Sequence, residues 1–381
     1  PPRSTLFPYT TLFRSVLNGH VDDVGDWAPG LADGMREIIQ ANEVGLRQIF
    51  ATSRIQRLTQ LTQHGIKLLS GKIDPTYNRL VHSVPVGVTA MALACKCGFT
   101  GRDLLISLVS GIVHDIGQSA HSHDGEQALI YASQWCHEEA GKRILLNDSE
   151  ILAALKVLGL SPEEIVSVVS EEGVLGMIQS IADTTRYVPD DCRAAGAEVP
   201  VTLIRRVINS VSGVDSEKGL VVSTIEPLME VLSLRRWLTI NVYRSHANEL
   251  IQKGLVCLMF EALRADVLTV EEIENGVDAD INAKLRIFET HSNQRLRSVY
   301  RIVFGTDTDE ISMWSVEVIE SEESVPRNGR DGTLHFNEFR VARQACSKTI
   351  RVCCGFEVMT LRCKESFSAD SLRVYRYTFR G

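Results

Sequence analysis

Apolar residues recur every three or four positions through most of the first 300 residues, a period that predicts amphipathic helices. Glycine and proline interrupt the pattern at intervals, so it predicts a series of separate helices. The predicted segments, in chain order, are 31–65, 78–97, 104–116, a helix after Gly125, 136–146, one that starts at Ser161-Pro162, 176–187, 201–211 and 225–265. The pattern therefore predicts an all-helical body.

The pattern changes after about residue 298, where short runs rich in β-branched and aromatic residues predict strands. These runs are 300–304, 311–319, 333–341, 349–359 and 372–379. We therefore predict a mainly α fold with a helical body at 16–298 and a small strand-rich, α+β unit at 299–381. No internal repeat or low-complexity tract alters this division.

Residues 1–15 are excluded from the predicted fold. The segment 5–15, TLFPYTTLFRS, looks like the in-frame translation of a common sequencing-adapter oligonucleotide, and the chain does not begin with Met. We expect this stretch to be a non-native assembly scar on a metagenomic or draft-genome sequence.

Composition and charge narrow the class of protein. With 381 residues, 44% of them hydrophobic, the chain can bury a sizeable core. A formal net charge of −8 argues against general binding to nucleic acid or to anionic membranes, although a local basic pocket for a small anion is compatible with it. No stretch reaches the roughly 20 apolar residues that span a bilayer. We therefore expect a cytoplasmic protein without a membrane partner.

The nine cysteines are an odd number, scattered along the chain, which favours reduced thiols over a disulfide framework. Cys346, Cys353, Cys354 and Cys363 lie in strand-like sequence without paired CxxC spacing. Packing of free thiols is therefore favoured there over a zinc site.

Candidate chemistry centres on residues 107–126, SLVSGIVHDIGQSAHSHDGE. An apolar run at helical spacing brings His114 and Asp115, side by side, to the point where the run breaks at Gly117. Burying a carboxylate is costly unless a cation compensates its charge. The pair therefore predicts a metal ion, with further nitrogen and oxygen ligands supplied by other helices.

The order His82, His114-Asp115, Asp183 resembles the metal centre of the HD phosphohydrolase superfamily. The blocks SRIQRLTQLTQHG and PTYNRLVHSVPVG resemble the dNTP triphosphohydrolase branch of that superfamily. So do the pattern HDIGxxxxSHxxE that starts at His114, WCHEEAGKRIL, and ADTTRYVPDDC. Together these motifs cover most of residues 52–193 in the family's order. The resemblance implies the helical HD-domain fold.

One role follows from spacing alone. Arg79 precedes His82 by three residues, so on a helix its guanidinium would share a face with a metal ligand and could clamp a phosphate. A histidine is also a suitable general acid near neutral pH, and His121, His123 and His137 all follow the HD pair.

Other roles are implied by the resemblance. His82, His114, Asp115 and Asp183 would hold the metal. His123 would be the general acid, and His137 and Glu138 would orient it or shuttle protons. The residues expected to contact substrate are Arg79, Tyr187, Asp191, Gln118 and His121, with Tyr187 and Asp191 at the sugar.

The predicted reaction is metal-dependent hydrolysis of a phosphoester, with a dNTP giving deoxynucleoside and triphosphate. One divalent ion is expected, and mixed His and Asp ligands suit Mn, Fe, Ni, Zn or Mg. A nucleotide or related small phosphoester is the expected partner. Proteins of this kind commonly self-associate, so we also expect a homo-oligomer.

Several positions depart from the family's pattern. Gln118 stands where a histidine is usual and cannot relay a proton, and His121 stands where an aromatic residue is usual. Thr184 replaces a frequent phosphate-binding lysine, and Pro189 should kink the helix that carries Asp191. The chain also lacks an Asp-Pro-x-x-Gly segment, so activation by nucleotides is not predicted.

These departures leave two alternatives. One is an HD phosphohydrolase that acts on nucleotide monophosphates, cyclic nucleotides or another phosphoester. The other is a catalytically impaired regulatory module that binds metal or nucleotide.

Overall fold

The structure is a computed structural model that describes residues 17–26, 28–65, 77–133, 135–217, 219–305, 314–319, 338–343, 349–354, 357–362 and 373–379. In the five ranges after residue 305 it describes the backbone and, of the side chains, only that of Cys353. The predicted assembly scar at 1–15, the loop with Gly71, Asp74 and Pro75, and the residues Cys346 and Cys363 lie outside the described residues.

Helices make up nearly all of the described chain up to residue 305. They are α1 (Asn18–Gly25), α2 (Pro29–Ala41), α3 (Glu43–Ala51), α4 (Ser53–Arg57), α5 (Arg79–Lys96), α6 (Arg102–Val113), α7 (His123–Ser133), α8 (His137–Asn147), α9 (Ser149–Val157), α10 (Pro162–Val169), α11 (Gly173–Ala194), α12 (Leu203–Ser210), α13 (Glu226–Leu238), α14 (His246–Arg264), α15 (Val270–Asn275), α16 (Asp278–Leu285) and α17 (Gln294–Phe304). Short 3₁₀ turns at Leu58–Gln60 and Arg286–Phe288 and a π turn at Thr239–Tyr243 complete the set.

In the part of the chain that the structure describes, seven strands form two sheets. They are β1 (Val211–Asp215), β2 (Gly219–Val222), β3 (Trp314–Ile319), β4 (Glu338–Arg343), β5 (Thr349–Cys354), β6 (Glu357–Arg362) and β7 (Arg373–Phe379). One sheet has the order β1-β2-β5-β6, with β2 and β5 parallel, and the other has the antiparallel order β3-β7-β4. The first sheet therefore joins a hairpin of the helical body to strands from the C-terminal part of the chain.

The centre of the body is the contact between α5 and α6. Nearly every residue of both helices is buried. A Cβ placed on Gly111 would lie 2.4 Å from the Cα of Gly87, so the two backbones touch where these glycines face each other. The short turn at 97–101 folds α6 back along α5, which brings His82 opposite the end of α6, where His114 and Asp115 follow.

Two hydrophobic clusters flank the site. The larger extends from Leu17 to Val242 and includes α5, α6 and the buried face of α11. The smaller packs α14 against both α7 and α17, with Leu129, Leu255 and Val299 among its buried residues. The segment from His114 to His123 passes from the first cluster to the second, and the candidate site lies at this junction.

The predicted fold class is confirmed: the body is helical and the C-terminal part contributes strands. The helices predicted at 78–97 and 136–146 agree closely with α5 and α8, and Ser161 caps α10 through a capping box with Glu164. The helix α11 continues through Pro189. The domain boundary at 298 stays a prediction.

Three local predictions were wrong. Residues 300–304 are helical, because Leu296, Val299 and Val303 repeat at helical spacing and face the core, which outweighs their β-branched composition. The segment 225–265 is two helices, since Ser245 caps α14 after the π turn. The hairpin of β1 and β2 was not foreseen.

Among the residues that the structure describes, no individual helix has both the length and the apolar content that crossing a bilayer requires. Taken together, α10 and α11 meet those two criteria, but the pair is bent by 54°.

Candidate metal centre and active site

Four predicted metal ligands converge at the junction. His82 Nε2 lies 3.2 Å from Asp183 Oδ1 and 3.8 Å from Asp115 Oδ2, and His114 Nε2 lies 3.7 Å and 3.5 Å from the same two atoms. Two ligands bound to one ion at about 2.1 Å are separated by roughly 3 to 3.5 Å. The two imidazoles and two carboxylates therefore fit a single divalent cation with small side-chain adjustments.

The backbone orients one of these imidazoles. His114 immediately follows α6, and its Nδ1 lies 2.8 Å from the carbonyl oxygen of Gly111. A carbonyl can only accept, so Nδ1 donates the proton and the lone pair of Nε2 points toward Asp115 and Asp183. This tautomer is the one that binds metal through Nε2.

Arg79 compensates the charge of Asp115. Its Nη1 donates to Asp115 Oδ2 at 2.7 Å, its Nε to Ser122 Oγ at 3.0 Å and its Nη2 to the carbonyl of Gln63 at 3.2 Å. Both side chains are buried, 4% and 7% exposed. Burial alone would raise the pKa of Asp115, but Arg79 with the two histidines holds it well below its usual range. Each guanidinium nitrogen is thus engaged within the protein, and the predicted phosphate clamp stays a prediction.

His123 and His137 share one carboxylate. His123 Nδ1 lies 3.1 Å from Glu126 Oε2, and His137 Nδ1 lies 2.8 Å from Glu126 Oε1. Burial opposes the charged form of His137, yet the hydrogen bond and charge of Glu126 prevail and raise its pKa. His123 is 57% exposed and Glu126 only 13%. Glu126 was not predicted to have a role. Its position three residues after His123, in the pattern SHxxE, was the sequence feature that could have indicated one.

Gln118 and His121 both make hydrogen bonds to neighbouring protein residues. The Nε2 of Gln118 lies 3.3 Å from Asp115 Oδ1, so this amide contacts a predicted metal ligand. The backbone N–H of His121 donates to Asp278, and its ring Nε2 lies 2.9 Å from Asn282 Oδ1. His121 and Ser122 have φ values of 58° and 56°, a left-handed turn that is costly for residues other than glycine and is kept here by Asp278.

The predicted sugar contacts belong to a second network. Arg235 Nε donates to the hydroxyl of Tyr187 at 2.6 Å, and the hydroxyl of Tyr243 donates to Asp191. His64 Nε2 lies 3.3 Å from Asp191 Oδ1. Arg235, Tyr243 and His64 were not predicted, because they reach this network from elements distant in sequence.

Asp191 should make stability fall as pH rises toward neutrality. Burial raises its pKa to about 7, against 3.8 for a free side chain, although the Tyr243 hydrogen bond opposes the shift. Between those values the unfolded chain has released the proton and the native state has not. Each pH unit should therefore lower the free energy of unfolding by about 1.4 kcal/mol.

Asp191→Asn is expected to remove this slope, as measured by urea unfolding across the same pH interval. Asp190→Asn is the comparison variant: it keeps the Asp191 carboxyl group and should retain the slope, but up to a lower pH, because the charge of Asp190 also raises the pKa of Asp191. An unchanged slope in Asp191→Asn would show that a group other than Asp191 causes the pH dependence of stability.

One cavity of about 660 Å³ collects the predicted residues. All twelve contribute to its wall: Arg79, His82, His114, Asp115, Gln118, His121, His123, His137, Glu138, Asp183, Tyr187 and Asp191. Their individual roles stay predictions. Gln63, Gln179, Arg235 and Tyr243 also line the cavity, and no motif indicated them.

No protein-family model matches the chain. Over 151 residues, 35% of the chain, it is 28% identical to deoxynucleoside triphosphate triphosphohydrolase SAMHD1 of Homo sapiens, and the match spans 24% of that protein. Over 143 residues, 33% of the chain, it is 30% identical to the protein of the same name from Mus musculus, over 21% of its length. The chain thus matches about a quarter of the length of these relatives.

A crystal structure of a phosphohydrolase from Bacteroides thetaiotaomicron superposes on the chain with a TM-score of 0.65 and 14% identity, over 88% of this chain and 95% of the other. The chain therefore shares the helical fold of this phosphohydrolase. The resemblance to the dNTP triphosphohydrolase branch, predicted from the motifs at 52–193, is confirmed.

Proposed function

We propose that this protein is a metal-dependent phosphohydrolase that acts on a nucleotide phosphoester. The observation that carries the proposal is the convergence of His82, His114, Asp115 and Asp183 within 3.2 to 3.8 Å in the wall of one cavity. A divalent ion held by these residues would supply Lewis acidity and a bound water of lowered pKa. The donor set suits Mn, Fe, Ni, Zn or Mg.

The chain's own residues supply the remaining functions. Arg79 and Gln118 hold Asp115 in place from opposite oxygens. His123, which is accessible from the cavity, is proposed to donate a proton to the leaving oxygen, with Glu126 and His137 fixing its ring. Tyr187 and Asp191 are proposed to contact the sugar, each oriented by a hydrogen-bond partner.

The first substrate candidate is a dNTP, hydrolysed to deoxynucleoside and triphosphate. The names of the two relatives support this candidate, and so does the sugar-side network around Tyr187 and Asp191.

The charges of the cavity favour a second candidate, a substrate with a single phosphate. Among the described residues that line the cavity, the lysine and arginine side chains are Arg79 and Arg235, and Arg79 is paired with Asp115. The carboxylates of the same wall are Asp115, Asp124, Glu138, Glu171, Asp183 and Asp191. A triphosphate carries several negative charges, which normally require several cationic partners. A monoester or cyclic ester would need fewer.

Product analysis separates the candidates. Metal-loaded protein would be incubated with dNTPs, NTPs, nucleoside monophosphates and cyclic nucleotides, with chelator-treated protein as the control. Release of triphosphate from a dNTP supports the first candidate. Release of orthophosphate from a nucleoside monophosphate, or hydrolysis of the cyclic phosphate of a cyclic nucleotide, supports the second. Nucleotide binding without turnover would contradict the hydrolase proposal and indicate a regulatory module. Self-association and a cytoplasmic location stay predictions.

A further inference from the structure

A second group of metal-binding side chains lies at the rim of the catalytic cavity. His123 and Glu126 come from the first turn of α7, and Cys136, His137 and Glu138 come from the start of α8. The ligand atoms of His123, Glu126 and His137 all lie within 4.8 Å of one another, and so do those of Glu126, Cys136 and Glu138. The two sets share Glu126. None of these residues belongs to the His82, His114, Asp115 and Asp183 set.

The side chains of this group are joined by hydrogen bonds or lie just beyond hydrogen-bond distance, and a bound ion would require them to move only slightly apart. Glu126 lies 3.1 Å from His123 Nδ1 and 2.8 Å from His137 Nδ1, on separate carboxylate oxygens. His137 Nδ1 lies 3.4 Å from Glu138 Oε2, which also accepts a hydrogen bond from the Cys136 thiol. Nitrogen, oxygen and sulfur donors around a tetrahedral zinc ion are separated by roughly 3.3 to 3.8 Å.

We propose that this group is a second metal site, selective for zinc, in which His123, Glu126 and His137 form one set of ligands and Cys136, from the other set that contains Glu126, completes the coordination when its side chain turns toward the ion. A mixture of imidazole, carboxylate and thiolate matches the intermediate softness of Zn²⁺, whereas Mg²⁺ and Mn²⁺ prefer oxygen. The Cys136 thiol gives its proton to solvent when the sulfur binds, and Glu138 loses the hydrogen bond that it accepts from this thiol and lies beside the ion. The cavity provides the route of entry.

Occupation of this site has a consequence for the reaction, and this step rests on the proposed function. A bound zinc ion would be coordinated by the Nδ1 atoms of His123 and His137, and it would break the hydrogen bonds that these atoms make with Glu126. The imidazole that would protonate the leaving oxygen is then fixed by a cation and disfavoured as a proton donor. Zinc at the rim therefore inhibits hydrolysis while leaving the His114-Asp115 centre intact.

Cobalt spectroscopy tests the site without reference to activity. Co²⁺ replaces Zn²⁺ in such sites and shows a thiolate-to-metal charge-transfer band in the near ultraviolet only when sulfur is bound. The His114-Asp115 centre contains no sulfur. We expect the band in the wild-type protein and in Cys97→Ser, which alters a thiol that does not line the cavity. Added Zn²⁺ should displace the cobalt and remove the band. Cys136→Ser should lack it.

Two results overturn the site: Co²⁺ bound to wild-type protein without the band, or a band of equal intensity in Cys136→Ser. Circular dichroism of Cys136→Ser and of Cys136→Ala checks that loss of the band does not reflect unfolding. Zinc affinity measured by competition with a chromophoric chelator should fall at least about 10-fold in Cys136→Ser, since loss of even an outer-shell partner has effects of that size.

Activity assays then test the inhibitory role. With the catalytic metal saturating, added Zn²⁺ should inhibit wild-type hydrolysis, and Cys136→Ser should need at least about 10-fold more zinc for the same inhibition. Its basal activity should be unchanged. A charge-transfer band without zinc inhibition would keep the site and contradict the proton-donor role of His123. Equal inhibition of both proteins would contradict the inhibitory role of the site.

Discussion

Replacing His114 and Asp115 together by alanine is expected to abolish hydrolysis and metal binding at the set formed by His82, His114, Asp115 and Asp183. The substitution removes two of the four converging donors and leaves only His82 and Asp183, whose atoms lie 3.2 Å apart. Loss of one electrostatic stabiliser commonly lowers kcat about 10² to 10³-fold, so loss of the whole centre should lower it by at least about a thousandfold. Elemental analysis and product assays on the same samples measure both effects.

The double variant also deprives Arg79 of its buried partner, so a fold control is needed. His114→Ala alone keeps the Arg79–Asp115 pair and should lose metal affinity while remaining folded. His20→Ala with Asp23→Ala removes another neighbouring His and Asp pair, 3.6 Å apart, outside this cavity. Loss of the His20 and Asp23 side chains should leave metal binding unchanged. A folded His114→Ala, Asp115→Ala protein that is loaded with Mn²⁺ alone and retains a full equivalent of it would contradict the assignment, because the group that contains Cys136 is expected to disfavour Mn²⁺.

The juxtaposition of His82, His114 and Asp115 was predictable because the local sequence pattern decides where these side chains lie. The apolar run of α6 fixes where His114 and Asp115 emerge, and helical spacing places Arg79 one turn before His82. The facing glycines Gly87 and Gly111 then allow the two helices to touch. Sequence period and small residues at one crossing were therefore sufficient to bring the ligands together.

The partners of these ligands were less predictable, because they come from elsewhere in the chain. Tyr187 meets Arg235 across 48 positions, and Asp191 meets Tyr243 across 52. No local period indicates such a pairing, since it depends on how α13 and the π turn pack against α11. The same limit applies to residues 300–304, where β-branched composition suggested a strand but packing against α14 selects a helix.

The structure shows what Arg79 contacts within the protein. From spacing alone, a guanidinium beside a predicted metal ligand predicts a phosphate clamp, and that role stays a prediction. In the folded protein its three nitrogens donate to Asp115, Ser122 and the backbone of Gln63. These hydrogen bonds hold the Asp115 carboxylate in place, and their loss has an expected effect of its own.

Arg79→Met is expected to destabilise the metal-free protein by roughly 3 to 5 kcal/mol, the usual effect of removing one partner of a buried ion pair. Methionine keeps much of the side-chain volume but leaves Asp115 with the amide of Gln118 and the neighbouring histidines. Urea unfolding in the presence of a chelator measures the loss. The pKa of Asp115 should rise as well, because Arg79 is the largest influence that lowers it.

Metal should restore part of this loss, because a cation bound by Asp115 replaces the missing charge and binding to the native state adds to stability. The difference in unfolding free energy between wild type and Arg79→Met should therefore shrink when saturating metal is added. Arg57→Met is the matched control: Arg57 is also buried, but it donates to backbone carbonyls of Gln118 and of residues 274–276. The decrease in unfolding free energy caused by Arg57→Met should be the same with and without metal. An Arg79→Met deficit that metal leaves unchanged would mean that Arg79 and the ion do not share Asp115.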